Sequence, residues 1–128
     1  MRTPPTESEV DFSVDEQRMR GAVVLAVHGD ADLHTAPMLR DRLDRAIDGG
    51  ASGVVVDLSD ASFFDSTALG VLVGGMKRLR ATRRQLRLVA PRPEVRRLLE
   101  ITLLDHVFAI DATRDDALGC VGLRGGPF

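Results

Sequence analysis

The chain has 128 residues, of which 44% are hydrophobic and 28% charged, and this length and composition predict one soluble globular domain. Its formal net charge of −2 and aromatic content of only 4% argue against a nucleic-acid-binding protein, so no direct contact with nucleic acid is expected. Cys120, the only cysteine, fits a cytoplasmic location, and the longest apolar runs are too short for membrane insertion.

The first half of the chain predicts a mobile tail, a β-hairpin and a helix. The tail is polar and contains Pro4-Pro5, and Gly21 closes the turn of the hairpin. Thr35 is expected to cap the helix, which has Pro37 in its first turn and ends at Gly49-Gly50. The predicted boundaries are tail 1–10, strand 11–17, turn 18–21, strand 22–27, loop 28–34 and a helix that follows Thr35.

The second half of the chain alternates strands and helices. Residues 53–58 are almost continuously apolar, as expected of a central strand that is covered on both faces. The other predicted elements are helix 66 to about 80, strand 85–90, helix 93 to about 99, strand 107–110 and helix 113–118. This order predicts an α/β fold, in which a sheet of mixed direction carries crossover helices on at least one face.

Residues 63–70, Phe-Phe-Asp-Ser-Thr-Ala-Leu-Gly, are the most informative stretch of the chain. They follow a buried strand and open a helix, so they place the hydroxyl of Ser66 at a helix N-terminus. The free N–H groups and the helix dipole at that position would tolerate a phosphate on the hydroxyl. The sequence therefore predicts that function depends on Ser66. The alternative is that Ser66 only caps the helix, although capping and phosphorylation are compatible roles.

Two motifs resemble the STAS domain of the bacterial anti-sigma factor antagonists. Residues 29–36, Gly-Asp-Ala-Asp-Leu-His-Thr-Ala, resemble its Gly-acid-x-Asp loop, and residues 63–70 resemble its phosphorylation segment. The resemblance covers residues 11–119 and leaves residues 120–128 as a C-terminal tail. It implies the STAS fold, a small mixed β-sheet with about four helices packed mainly on one side.

The resemblance also implies a function. The unphosphorylated chain would bind an anti-sigma factor that is also a serine kinase, and would so release a sigma factor. The kinase, using its own bound ATP, would phosphorylate Ser66, and a separate serine phosphatase would reset the switch. The chain itself would be no enzyme and would need no cofactor. The residues expected to bind the partner are Asp30, Asp32, Thr35, Asp65, Ser66 and Thr67.

Two positions of the phosphorylation segment depart from the family pattern. Relatives often have Gly where this chain has Ala68, and Ala is the better helix former, so the helix should still begin here. The smaller space near Ser66 could change the choice of partner. Thr67 stands where Ser is also common, which is a mild change.

The carboxylates near Ser66 have two interpretations. Asp30, Asp32 and Asp65 could make Asx turns within their loops, or they could orient the Ser66 hydroxyl and meet basic groups of a partner. We expect Asp32 to serve recognition rather than folding. A metal site at His28, Asp30, Asp32 and His34 is not expected, because their spacing matches no established zinc pattern.

Two other functions compete with the phosphorylation switch. The first is a soluble STAS scaffold subunit of a membrane transport or lipid-trafficking complex, which would need no phosphorylatable serine at this point. The second is a small hydrolase that uses Ser66 as its nucleophile. The sequence lacks a Gly-x-Ser-x-Gly motif and pairs no histidine with Ser66, so a catalytic residue is not expected.

Two further patterns lie in and after the second helix. Gly70, Gly74 and Gly75 each lower helix stability, and we expect them to permit close approach to the sheet or to a partner. A basic region spans residues 77–97, and it is interpreted as a solvated helix end, with a second partner surface left open. Its cations are Lys77, Arg78, Arg80, Arg83, Arg84, Arg87, Arg92, Arg96 and Arg97.

Overall fold

The computed structural model describes residues 12–124, with side chains as far as Val121, so the predicted tail at residues 1–10 lies outside it. Five strands and four α-helices make up the described chain, together with one short 3₁₀ turn. In order they are β1 (Phe12–Met19), β2 (Ala22–Ala31), α1 (Ala36–Asp48), β3 (Gly53–Phe64), α2 (Ser66–Ala81), β4 (Gln85–Val89), α3 (Pro93–Ile101), the 3₁₀ turn (Leu104–His106), β5 (Ala109–Asp111) and α4 (Arg114–Arg124).

The strands form a single sheet in the order β1-β2-β3-β4-β5. β1 and β2 are antiparallel, and every later pair is parallel. Parallel strands end at the same edge of a sheet, so the carboxyl ends of β2 and β3 lie side by side, with Ala31 opposite Phe64. The residues that follow these two strands therefore meet at one edge.

The two faces of the sheet are covered unequally. One face of β3 presents Val54, Val56 and Leu58 to the main core, which also holds the buried side chains of α1, α2 and α3. The opposite face presents Val55 to a smaller cluster with Ala117 of α4. The predicted fold, an α/β mixed sheet with its helices mainly on one side, is confirmed.

The strands β2 and β3 are longer than predicted, and the hairpin turn is shorter. Residues 28–31 and 59–64 were expected in loops, yet they pair as strands in a stretch where the register shifts after Ala26 and again after Gly29. The register shifts interrupt the alternation of buried apolar and exposed polar residues that marks a strand. The polar residues of this stretch therefore predicted a loop. The hairpin turn consists of Arg20 and Gly21 only. Both residues have positive φ, the conformation with which a two-residue turn matches the twist of the flanking strands.

The last elements also differ from the predicted boundaries. β5 begins at Ala109 rather than at residue 107, because Leu103 takes a left-handed conformation and residues 104–106 form the 3₁₀ turn. α4 runs to Arg124, so residues 120–124 of the expected C-terminal tail are helical. Residues 125–128 lie outside the described part of the chain.

A buried ion pair joins α4 to the sheet. Asp57 of β3 is only 7% exposed, and it accepts hydrogen bonds from the Arg114 guanidinium at 2.8 and 3.0 Å. Ser59 donates to the same carboxylate from both its backbone N–H and its hydroxyl. Burial alone would raise the pKa of Asp57, but these hydrogen bonds and the Arg114 charge outweigh it, so the pKa lies below its usual value.

The glycines of α2 have different surroundings. A Cβ at Gly75 would overlap the side chain of Leu43, so this glycine permits the close approach of α2 to α1. At Gly70 and Gly74 a Cβ would meet no atom of the described chain within 4 Å. A close approach is therefore found at Gly75 only, and it is to α1, whereas the sequence predicted an approach to the sheet or to a binding partner.

Candidate functional site

Asp65 organises the start of α2. It is the N-cap residue, and one carboxylate oxygen accepts from the backbone N–H of Ala68 at 3.0 Å. The other oxygen accepts from the backbone N–H of Leu33, also at 3.0 Å, and the N–H of Asp65 donates to the carbonyl of Ala31. A single side chain thus holds the beginning of α2 against the loop between β2 and α1.

Ser66 is exposed and is the first residue of α2. The alternative that Ser66 caps this helix is wrong, because Asp65 occupies the N-cap position and supplies the capping oxygen. The Ser66 hydroxyl is therefore not required for the helix to begin. Thr67, the next residue, is also exposed.

A closed network shapes the loop before α1. Asp32 accepts from the backbone N–H groups of His34 at 2.9 Å and Thr35 at 3.1 Å. In return, the Thr35 hydroxyl accepts from the N–H of Asp32 at 2.8 Å and donates to the carbonyl of Asp30 at 2.9 Å. Thr35 is the N-cap residue of α1 as predicted, but its side chain makes no capping bond, because it is used inside the loop.

The pKa of Asp32 reflects this network. Burial would raise it, but the N–H groups of Thr35 and His34 stabilise the charged carboxylate and hold the pKa below its ordinary value. Asp32 therefore makes the Asx turn that was one of its two interpretations. A role of Asp32 in recognition stays a prediction.

The structure brings the two predicted motifs together. Leu33 bonds to Asp65, and Asp30 lies opposite Phe63 in the β2–β3 register. We call residues 30–35 and 63–67 the Ser66 surface. It contains all the residues that the sequence analysis expected to bind a partner: Asp30, Asp32, Thr35, Asp65, Ser66 and Thr67.

Comparison with known proteins places this arrangement in a family. The STAS domain model matches residues 13–117. The chain belongs to the STAS domain family. The chain is 31% identical to an anti-sigma-B factor antagonist of Bacillus subtilis (strain 168) over 103 residues, which cover 80% of this chain and 94% of the relative.

Solved structures of STAS proteins resemble this one. An anti-sigma factor antagonist from Mycobacterium paratuberculosis superposes with a TM-score of 0.81 at 28% identity, covering 94% of this chain and 98% of that one. The Bacillus cell fate determinant SpoIIAA in its phosphorylated form superposes with a TM-score of 0.66 at 26% identity, covering 86% and 98%. The STAS fold expected from the sequence is thereby confirmed.

The sequence analysis missed the apolar residues of this STAS domain's Ser66 surface. Leu33 is 63% exposed and Phe63 is 52% exposed. Phe63 and Phe64 are adjacent on a strand, so only Phe64 can face the core. Two adjacent phenylalanines on a strand would have predicted one exposed apolar side chain, but the sequence analysis placed this stretch in a loop.

The candidate metal ligands of the STAS domain are not assembled into a site. Across residues 12–121, no group of three or more His, Cys, Asp or Glu side chains is placed to hold a metal ion. His28 instead lies between two carboxylates, with Nε2 3.0 Å from Asp15 and Nδ1 3.4 Å from Asp60. These contacts connect β1, β2 and β3 across the sheet.

Within residues 12–124, no helix combines the length and the apolar composition that crossing a bilayer requires.

Proposed function

We propose that this STAS domain is an anti-sigma factor antagonist that is switched by phosphorylation at Ser66. In its unphosphorylated form it binds an anti-sigma factor through the Ser66 surface and releases a sigma factor. The anti-sigma factor is also a serine kinase, which transfers phosphate from its own bound ATP to Ser66. A serine phosphatase removes the phosphate and restores binding.

The observation that carries this proposal is the position of the Ser66 hydroxyl. It is exposed at the start of a helix that a neighbouring residue, Asp65, already caps, so it is accessible to a kinase without loss of a structural bond. The N-terminal end of α2 favours negative charge, which makes a phosphate compatible with the folded state. The names of the relatives and the phosphorylated form of the SpoIIAA neighbour support the same role.

Local electrostatics are sufficient for the switch. A phosphate on Ser66 adds about −1.5 to −2 charges next to the carboxylates of Asp30, Asp32 and Asp65. The loss of affinity requires that the partner place carboxylates opposite the unmodified Ser66 hydroxyl, because basic groups would attract the phosphate. Each phosphate–carboxylate repulsion across the contact then costs about 1 kcal/mol, or more where water is excluded. A few such repulsions reach ~3 kcal/mol, which is roughly a hundredfold in affinity. No refolding of the domain is required.

The exposed apolar residues give the surface its second component. Leu33 and Phe63 flank the carboxylates and would be covered by the bound anti-sigma factor. Large exposed apolar side chains of this kind mark interaction sites when they are grouped. The Ser66 surface, as the proposed binding site, is therefore amphipathic. Its apolar side chains would provide affinity, and its carboxylates lie where a phosphate would add further negative charge.

Phosphate mapping tests the assignment of the acceptor. The protein is incubated with the anti-sigma factor kinase and ATP, and the modified residue is located by mass spectrometry. We expect phosphate on Ser66, no phosphate on the Ser66→Ala variant and normal phosphorylation of Thr67→Ala, which removes the neighbouring exposed hydroxyl. Phosphate on Thr67 while Ser66 stays unmodified would contradict the proposal.

A further inference from the structure

The predicted basic region is divided by the fold into separate groups. Arg78 pairs with Asp44 and Asp48 of α1, and the guanidinium of Arg96 donates to the carbonyl of Ala90. These cations are used within the domain. The region is therefore not simply a solvated helix end, and only part of it is available as a surface.

Four arginines of the region line one open groove. The groove lies between the end of α2 and the start of β4, has a volume of about 440 Å³ and includes Arg80, Arg83, Arg84 and Arg87 together with Met76 and Val107. We call these six residues the arginine groove. It exists because β5 begins at Ala109, opposite Arg87, so the first residues of β4 extend beyond their neighbouring strand.

Two of these arginines, Arg84 and Arg87, are held in place by hydrogen bonds within the domain. Arg84 donates to the carbonyls of Ile47 and Ala51 at 3.0 and 2.9 Å. Arg87 forms a two-point contact with Asp111 of β5, at 2.7 and 3.2 Å. The charge of Arg87 is balanced by Asp111, whereas Arg84 meets only neutral carbonyl and hydroxyl oxygens and keeps its positive charge in the groove.

The other two arginines have no carboxylate partner in the described chain. Arg80 and Arg83 are exposed, and within residues 12–121 neither takes part in a salt bridge. A cation near the end of α2 is favoured by the helix dipole, and this accounts for Arg80. It does not account for Arg83, which lies beyond the helix with φ of 61°, or for Val107, an apolar side chain left 39% exposed beside them.

We propose that the arginine groove docks an acidic segment of a protein partner, with apolar side chains among its carboxylates. The guanidinium groups of Arg80 and Arg83, which meet no carboxylate within residues 12–121, would bind the carboxylates, and the partly exposed Val107 would contact an apolar side chain. Met76 is buried, and its sulfur accepts from the Arg80 guanidinium at 3.4 Å. The groove is open to solvent, which suits a peptide segment better than a small ligand that a pocket must enclose.

The groove and the Ser66 surface lie at opposite ends of α2. The helix has 16 residues, so about 24 Å separates its ends. A segment in the groove therefore leaves the Ser66 surface free, and the domain can hold two partners at the same time. This second contact is independent of the phosphorylation proposed for Ser66, because no residue is shared by the two surfaces.

A peptide titration tests the groove. The probe is a fluorescein-labelled peptide, Gly-Glu-Leu-Asp-Glu-Leu-Glu-Gly, and binding is followed by fluorescence anisotropy at low and at physiological salt. We expect saturable binding that weakens about tenfold in Arg80→Ala/Arg83→Ala. The control variant, Lys77→Ala/Arg97→Ala, removes the same charge from exposed positions outside the groove and should change affinity less than about twofold.

Three results would overturn the proposal. The first is absence of saturable binding. The second is an equal loss in both double variants, which would show a response to net charge alone. The third is displacement of the peptide by inorganic pyrophosphate or by phosphatidylglycerol vesicles at lower concentration than by unlabelled peptide, which would assign the groove to a small anion or a lipid surface. Amide shifts in NMR spectra that map to the groove, and not to residues 63–67, would support it.

Discussion

Two carboxylates associated with strand β3 show how differently the same residue type is used. Asp57 lies within the strand, is almost fully buried, and is bound mainly by side chains, the Arg114 guanidinium and the Ser59 hydroxyl, with one backbone N–H, that of Ser59. Asp65 follows the last residue of the strand, is half-buried, and is bound by backbone N–H groups. The first connects a helix to the sheet, and the second shapes a surface without covering it. The buried carboxylate joins elements of the fold, whereas the carboxylate at the strand end caps α2 and holds the Leu33 loop beside the proposed phosphorylation site.

Removing Asp57 should have the largest effect on stability. Asp57→Ala leaves Arg114 and Ser59 without their shared acceptor, and the loss of one partner from a buried pair is strongly destabilising. Because Arg114 is 35% exposed and can reach water, we expect a loss of about 2–3 kcal/mol, below most of the usual range for a fully buried pair. Urea unfolding measures this, and the variant should bind the anti-sigma factor normally while it is folded. If Asp57→Ala lost anti-sigma factor binding but kept full stability, the assignment of Asp57 to folding would be contradicted.

The pH dependence of stability sharpens the comparison at Asp57. The pKa of Asp57 is lower in the folded state than the ordinary value of 3.8, so its contribution to stability is fully present above that value and is lost as the pH falls through the folded-state pKa. The difference in unfolding free energy between the protein and Asp57→Asn should be constant near neutral pH and shrink below about pH 4. A difference that grows in acid would show that the folded-state pKa is raised instead.

Removing Asp65 should have a smaller effect on stability and a larger one on function. Asp65→Ala removes a helix cap, which costs about 1 kcal/mol, and releases the loop that Leu33 belongs to. We expect slower phosphorylation of Ser66 in kinase assays as well as this modest loss in urea unfolding. Asp60→Ala is the control, because Asp60 is an exposed carboxylate of the same strand outside the Ser66 surface, and its side chain contacts only His28, at 3.4 Å, among the described ion pairs. Equal phosphorylation rates in the two variants would argue against a positioning role for Asp65.

The exposed apolar residues of the Ser66 surface should affect binding and leave stability unchanged. Phe63→Ser is expected to weaken anti-sigma factor binding by roughly tenfold, because about 1–2 kcal/mol of apolar contact is lost, and to leave the melting temperature within about one degree. Ile101→Ser, at a site that is 70% exposed on α3, is the matched control and should change neither quantity. Calorimetric titration with the anti-sigma factor separates the two. Equal losses of anti-sigma factor affinity in Phe63→Ser and Ile101→Ser would place the contact outside the Ser66 surface.

The order of elements and the position of Ser66 could be predicted because they depend on local patterns. Apolar spacing indicates the face of each helix, and the Phe-Phe-Asp-Ser segment marks the step from strand to helix. The cap could not be assigned, because Asp and Ser are both good N-cap residues and the choice depends on where β3 ends. That end is set by pairing with β2 as far as Phe64, a long-range contact.

The ion pair and the arginine groove could not be predicted for a similar reason. Asp57 and Arg114 are separated by 57 positions, and no sequence pattern joins them. The nine cations of the basic region are close in sequence, yet the fold distributes them over α2, β4, α3 and the connections between these elements. Which arginines keep a free guanidinium group depends on carbonyls and carboxylates brought in by other elements, such as Ala51 beside Arg84 and Asp111 beside Arg87.

The most direct measurement compares the affinity of the anti-sigma factor for two forms of this protein, one unmodified and one carrying phosphoserine only at position 66. Incorporating the phosphoserine during synthesis removes any dependence on the kinase. Isothermal titration calorimetry at low salt should show binding weaker by roughly a hundredfold in the phosphorylated form, with an unchanged melting temperature. Equal affinities of the two forms would contradict the proposal that phosphate at Ser66 controls the partner.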